Sequence, residues 1–218
     1  MERRSIASQV AAVFIAVVSI RANADVFPKL TRSDYEATSG SKGVVLLAVR
    51  WDRWWNCAGY ENAQLQIIGF DKLPSSKADQ DPPDILLDDA PKLMTRPEFE
   101  NYALLVEPGE YGLSGFLIKA ARSASHIEHF GAQRSELIKG GKSEGGSFIV
   151  AADEIVYIGN FYLDCYKIPT IWRYYTETRD GFGSHMAEFK SEFPFLDTSK
   201  AVYRLFETTR AGNHYELP

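Results

Sequence analysis

The chain has 218 residues, of which 45% are hydrophobic and 13% aromatic, and carries a formal net charge of −5. That length bounds one domain or two small ones, and it can bury a substantial core without metal or multiple disulfide staples. A mild acidic excess with no basic stripe argues against a nucleic-acid partner.

Residues 1–24 have the order of a cleavable secretory signal peptide. Arg3 and Arg4 make a basic start, Val10 to Ile20 is apolar except for Ser19, and Ala22-Asn23-Ala24 gives the small-x-small exit before Asp25. The apolar run of 11 residues falls short of the roughly 20 that span a bilayer. Arg21 departs from the usual neutral end, and no cysteine stands at the cut to take a lipid anchor. Removing one acid (Glu2) and three bases (Arg3, Arg4, Arg21) takes the charge from −5 to −7. The expectation is a periplasmic or secreted protein with one domain over 25–218 and no transmembrane segment after cleavage.

Residues 25–42 are polar and read as a loose lead-in. Gly43 to Trp51 (GVVLLAVRW) is nearly continuous apolar sequence, which predicts a central strand covered on both faces. Ala63 to Asp71 predicts a second strand, with Leu65, Ile67 and Gly69 on one face and Ile68 and Phe70 on the other. Residues 72–97 hold five of the ten prolines and a set of aspartates, Asp79, Asp81, Asp84, Asp88 and Asp89; they predict a long acidic surface loop with one helical turn at 85–87. Tyr102 to Glu107, Pro108-Gly109 and Glu110 to Ala120 read as a hairpin. Residues 123–146 read as less regular, with Gly140, Gly141, Gly145 and Gly146 marking a connection. Ser147 to Ala151 and Glu154 to Cys165 predict a second hairpin turning at Ala152-Asp153, and Ile168 to Thr176 a further strand. Ser184 to Phe193 predicts a helix capped by Ser184 and stopped by Pro194, with Met186, Phe189 and Phe193 at helical spacing. Ala201 to Thr208 alternates like a last strand. Seven or eight strands and one C-terminal helix, without βαβ alternation, predict a mainly β protein: an antiparallel β-sandwich.

Cys57 and Cys165 are the two cysteines. In an oxidising compartment two suit one disulfide, and the absence of Cys-x-x-Cys argues against a redox role. Gly112-Leu-Ser114-Gly115 lacks the nucleophile-elbow spacing, and Gly141-Lys142-Ser143 lacks the first glycine of a phosphate loop, where Glu136 stands. His126, Glu128 and His129 do not have the zinc-peptidase spacing, His185 and His214 carry no motif, and prolines at 82 and 83 break any calcium-loop pattern. No metal, no cofactor and no identifiable catalytic residue is therefore expected.

The most distinctive local feature is Trp51-Asp-Arg-Trp54-Trp55-Asn-Cys57-Ala-Gly-Tyr60. Aromatic faces stack on sugars or peptides and anchor interfaces, although large aromatics also simply fill cores. A second aromatic group, Trp172-Arg-Tyr174-Tyr175, follows Cys165. A Cys57–Cys165 bond makes the two groups neighbours, so Trp51, Trp54, Trp55, Tyr60, Trp172 and Tyr174 are the ligand-binding candidates.

Two segments carry a resemblance. Tyr102-Ala-Leu-Leu-Val-Glu-Pro-Gly-Glu-Tyr111-Gly-Leu resembles the Pro-Gly-x-Tyr hairpin of prealbumin-like sandwich modules. Gly146-Ser-Phe-Ile-Val-Ala-Ala-Asp-Glu-Ile-Val-Tyr-Ile-Gly-Asn-Phe161 resembles the Gly-Glu-x-x-Tyr-Ile-Gly-Asn strand pair of uncharacterised exported bacterial β-sandwich proteins and lipoproteins, with Asp153 where those commonly have glycine. The two segments make up 28 of the 194 residues after residue 24. It implies a Gram-negative envelope protein and supplies no catalytic residues. The function expected is a non-catalytic binding or accessory module for an envelope protein or glycan. The alternatives are an exported hydrolase acting on glycan or peptide, with carboxylates not placed by sequence, and a homo-oligomeric structural component.

Overall fold

The structure is a computed structural model that describes residues 29–38, 40–88, 98–174, 179–204, 206 and 208. The signal segment 1–24, residues 89–97 of the acidic loop, Tyr175 and His214 lie outside the described residues. In chain order come α1 (Arg32–Thr38), β1 (Gly43–Val49), β2 (Trp54–Cys57), β3 (Tyr60–Leu73), β4 (Ile85–Asp88), β5 (Glu100–Val106), β6 (Gly109–Ser123) and β7 (His126–Ala132). Then follow α2 (Arg134–Leu137), β8 (Ile138–Lys139), β9 (Lys142–Ser143), β10 (Ser147–Val150), β11 (Ile155–Asp164), β12 (Thr170–Tyr174), α3 (Arg179–Glu192) and β13 (Val202–Tyr203).

The chain is mainly β, with two larger open sheets. One has the order β12-β11-β1-β5, with β13 also on β11; the other runs β10-β6-β3-β2, with β7 also on β6 and β4 also on β3. Every residue of β1 is buried, because alternate residues serve two different cores. Val45, Leu47 and Val49 join Leu65, Ile68, Phe70, Ile118 and Phe148 from the second sheet in one apolar cluster. Val44 and Leu46 join Tyr157, Met186, Phe189 and Phe193 in another, under α3. A strand buried on both faces has no polar side, which is why GVVLLAV reads as an unbroken apolar run. Among the described residues no helix is long and apolar enough to cross a membrane.

The sequence pattern predicts all-antiparallel pairing, and the structure departs from it. β11 runs parallel to β1 and to β13. Parallel neighbours need a long crossover; between β1 and β11 it passes through the strands of the second sheet, and between β11 and β13 it contains α3. Both expected hairpins are corners between sheets. β5 pairs with β1 while β6 pairs with β3, and β10 pairs with β6 while β11 pairs with β1. Pro108-Gly109 and Ala152-Asp153 do reverse the chain, but a turn places a reversal without choosing the partner. Asp153 has φ 58°, the left-handed region that favours glycine, and its N–H donates to the Lys42 carbonyl at 2.9 Å.

Other differences have local causes. A bulge between Leu65 and Ile67 resets the alternation of β3, so Leu65, Ile68 and Phe70 share the core and Ile67 does not. Residues 85–87 are strand β4 on β3, not a helical turn. The region 123–146, read as irregular, contains β7, α2 and the β8–β9 ribbon. There are three described helices instead of one. α1 lies within the expected lead-in, and α3 starts at Arg179, with Ser184 inside it donating to the Asp180 carbonyl at 3.0 Å.

The acidic loop is folded against the second sheet. Asp71 is wholly buried and forms an ion pair with the equally buried Arg134, Nε to Oδ2 2.5 Å. The Arg134 guanidinium also donates to the carbonyls of Ala78 and Asp81. Asp84 accepts from the Lys72 N–H at 2.8 Å and from Lys77 Nζ at 2.6 Å, and Asp79 accepts from the N–H and hydroxyl of Ser135. These carboxylates are consumed in holding residues 74–84 in place.

Candidate functional site

The site grows from a two-residue turn. Ala58 (φ 49°) and Gly59 (φ 83°) join β2 to β3 with Cys57 opposite Tyr60; a tight hairpin needs positive φ at both central residues. The turn holds Cys57 against Cys165, just past the end of β11, and the two form a disulfide. Cys57 ends a strand of the second sheet and Cys165 directly follows a strand of the first, so the bond ties the sheets together at this edge.

Consecutive residues on a strand point to opposite faces, and Trp54 and Trp55 divide accordingly. Trp54, 37% exposed, stacks on Tyr162 of β11 with ring centroids 5.2 Å apart and planes 16° apart. The Arg50 guanidinium also lies over the Tyr162 ring, 4.6 Å from its centroid, while making a two-pronged pair with Asp52 at 2.5 and 2.9 Å. The Asp52 partnership raises the Arg50 pKa. Burial, followed by the nearby Asp52 charge, pushes the Tyr162 hydroxyl above its ordinary value, so Tyr162 is a neutral aromatic platform. Trp55, 57% exposed, turns to the outer face of the second sheet.

The remaining candidates fall in different places. Trp51 is buried in the core between the sheets, and its indole N–H donates to the Tyr102 hydroxyl at 2.8 Å. Tyr60 is buried too: it donates to Glu128 at 2.6 Å and accepts from Arg122 at 3.0 Å, with the Arg122 guanidinium 4.2 Å from its ring centroid. Hydrogen bonds from Tyr60, then from Arg122, hold Glu128 below the usual carboxylate range. Trp172 and Tyr174 are half-buried. Trp172 lies opposite Tyr162 across β11–β12, and the Tyr174 hydroxyl donates to the Leu163 carbonyl at 3.0 Å. The two aromatic groups therefore meet through Tyr162, which the sequence reading missed.

Two open clefts flank Trp55. One, of about 440 Å³, is lined by Arg50, Asp52, Arg53, Trp54, Trp55 and Tyr162. The other, of about 280 Å³, lies over the outer face of β2, β3, β6 and β7; Asn62, Gln64, Lys119, Ala121 and Ile127 line it together with Arg53, Glu61 and Trp55. Strand register builds this second cleft: Trp55 pairs with Asn62, Asn62 with Ala121, and Ala121 with Ile127. Short side chains in the middle of the row and large ones at its ends make a trough. His126 is 3.2 Å from Glu128, and His129 stands opposite Lys119 on β7. Among the described residues no three His, Cys, Asp or Glu side chains converge as a metal site.

Comparison with protein-family models, with curated proteins and with solved structures finds no match to this chain.

Proposed function

We propose that the chain is an exported envelope module that recognises its ligand through the Trp54–Trp55 edge and performs no chemistry on it. The observation that carries this reading is a pair of exposed tryptophans set between two open clefts on an edge pinned by a disulfide. Exposed aromatics are costly to leave in water and are typical anchors of recognition surfaces. The nearby carboxylates Asp52 and Glu128 are engaged by Arg50 and by Arg122 with Tyr60, which suits a scaffold better than general acid–base work. Export is supported by the order of residues 1–24 and by the disulfide, since such bonds persist in oxidising compartments. Two sheets sharing one apolar core suit the prealbumin-like sandwich reading.

The test is to purify the exported protein from its native envelope and identify what accompanies it, beside the Trp54→Ala/Trp55→Ala double variant. Loss of the accompanying ligand is the expected result, and an unchanged set refutes the reading. Intact mass of the same sample tests export, because a chain still beginning at Met1 contradicts it.

A further inference from the structure

From the trough over the second sheet we infer that the ligand is a carboxylated glycan chain lying across Trp55; this rests on the binding-module reading above. The trough has an aromatic wall, Trp55, and an aliphatic one, Ile127, which is 43% exposed. Between the walls lie the short Asn62 and Ala121, with the longer polar side chains of Gln64 and Lys119 beside them. A pyranose ring matches that division, with C–H groups on its faces and hydroxyls at its rim. The Asn62 carboxamide makes no hydrogen bond among the described residues, so its donors and acceptor are available to such a rim. Gln64 donates one N–H to the Trp51 carbonyl at 2.9 Å, which fixes its orientation.

Charge narrows the class. Arg53 and Lys119 both line the trough, and neither forms an ion pair among the described residues. Among the described residues Glu61 is the one acid lining it, which leaves an excess of one positive charge there in a chain of net −5. Unpaired cations beside an aromatic face fit a ligand that alternates apolar faces with carboxylates, as uronic-acid chains do. Arg53 and Trp55 line both clefts, so the two adjoin at these residues, within reach of one extended ligand. Their volumes, about 280 and 440 Å³, lie near the low end of the roughly 300–1,000 Å³ of small-molecule sites.

The experiment is calorimetric titration of the disulfide-intact exported chain with short oligogalacturonates and oligomannuronates, each beside its uncharged methyl ester. Acidic oligomers should bind and shift tryptophan emission, with the esters at least about tenfold weaker. Lys119→Ala and Arg53→Ala should each weaken binding about tenfold, and Ala121→Leu should abolish it by filling the trough. Equal binding of acid and ester overturns the inference, as does binding unchanged in a Lys119→Ala variant whose far-UV circular dichroism matches the parent. Failure of both oligomers to bind also overturns it, and so does Trp55-dependent binding to phosphatidylglycerol vesicles in their place. If the oligomers fail while the Trp54/Trp55 double variant still loses its native companion, only the glycan assignment falls. If that companion also stays, the binding-module reading falls with it.

Discussion

Removing the Cys57–Cys165 bond separates its global effect from its local one. The bond joins residues 108 apart in sequence, and closing a loop of about 100 residues is worth about 4.7 kcal/mol in the chain-entropy account. With a urea m-value of about 2 kcal/mol/M for a domain of this size, the Cys57→Ala/Cys165→Ala variant should unfold about 2 M earlier by far-UV circular dichroism. The local effect concerns the edge. β2 has four residues and pairs only with β3 among the described strands, so without the covalent tie little else holds Trp54 on Tyr162. In the variant, tryptophan emission should therefore change at lower urea than circular dichroism, whereas in the parent the two transitions coincide. Coincident midpoints in parent and variant, with no shift in either, would refute the argument that this bond is what joins the sheets at the site.

Three further predictions follow from single contacts. Arg134→Met removes the closer of two cations on the buried Asp71 carboxylate, leaving Lys77 Nζ at 3.6 Å, and should cost about 3 kcal/mol, read by urea unfolding, with new protease cleavage within residues 74–84. Tyr111 is buried against Phe148 and bonded to the Glu107 carbonyl, and burial raises its pKa to about 12. Its folded pKa lies above its unfolded value, so its contribution is complete below about pH 10 and is lost as pH climbs toward 12, up to about 2–3 kcal/mol; Tyr111→Phe should flatten that part of the alkaline stability profile. Trp51→Ala should cost about 3–5 kcal/mol by emptying the core, while Trp55→Ala should stay within about 0.5 kcal/mol and lose only ligand binding; equal destabilisation by the two would contradict the assignment of one to the core and the other to the site.

How much of this fold can be read from the chain depends on whether a residue's neighbours along the chain are also its neighbours in space. β1 is legible because burial on both faces leaves its mark on every residue. Pro108-Gly109 and Ala152-Asp153 are legible as reversals, yet nothing local to them says that the strands they join enter different sheets. That choice is made by apolar faces remote from one another in sequence, such as Val44–Val49 against Ile155–Phe161. β3 defeats a period-two reading because its bulge adds one residue, and β7 defeats it because its outward residues are polar or exposed and its inward ones sit at the margin of the core. Arg134 and Asp71 lie 63 residues apart, and no local pattern marks an arginine or an aspartate as destined for burial.

The candidate site divides along the same line. Trp54 and Trp55 draw attention because three tryptophans in five residues are unusual, and the alternation of a strand already implies that adjacent ones face apart. Tyr162 escapes notice because it sits in IVYIGNFYLD, where an aromatic reads as one more core residue; only the disulfide and the parallel placement of β11 turn it toward Trp54. Asn62 and Ala121 are still less visible. Their contribution is that they are short, and a short side chain matters only once register sets it between Trp55 on one side and Ile127 on the other. A trough made by missing bulk leaves no motif, so the residues that shape this site are the ones sequence reasoning is least equipped to find, and Ala121→Leu tests the part of the site that could come only from the register of four strands.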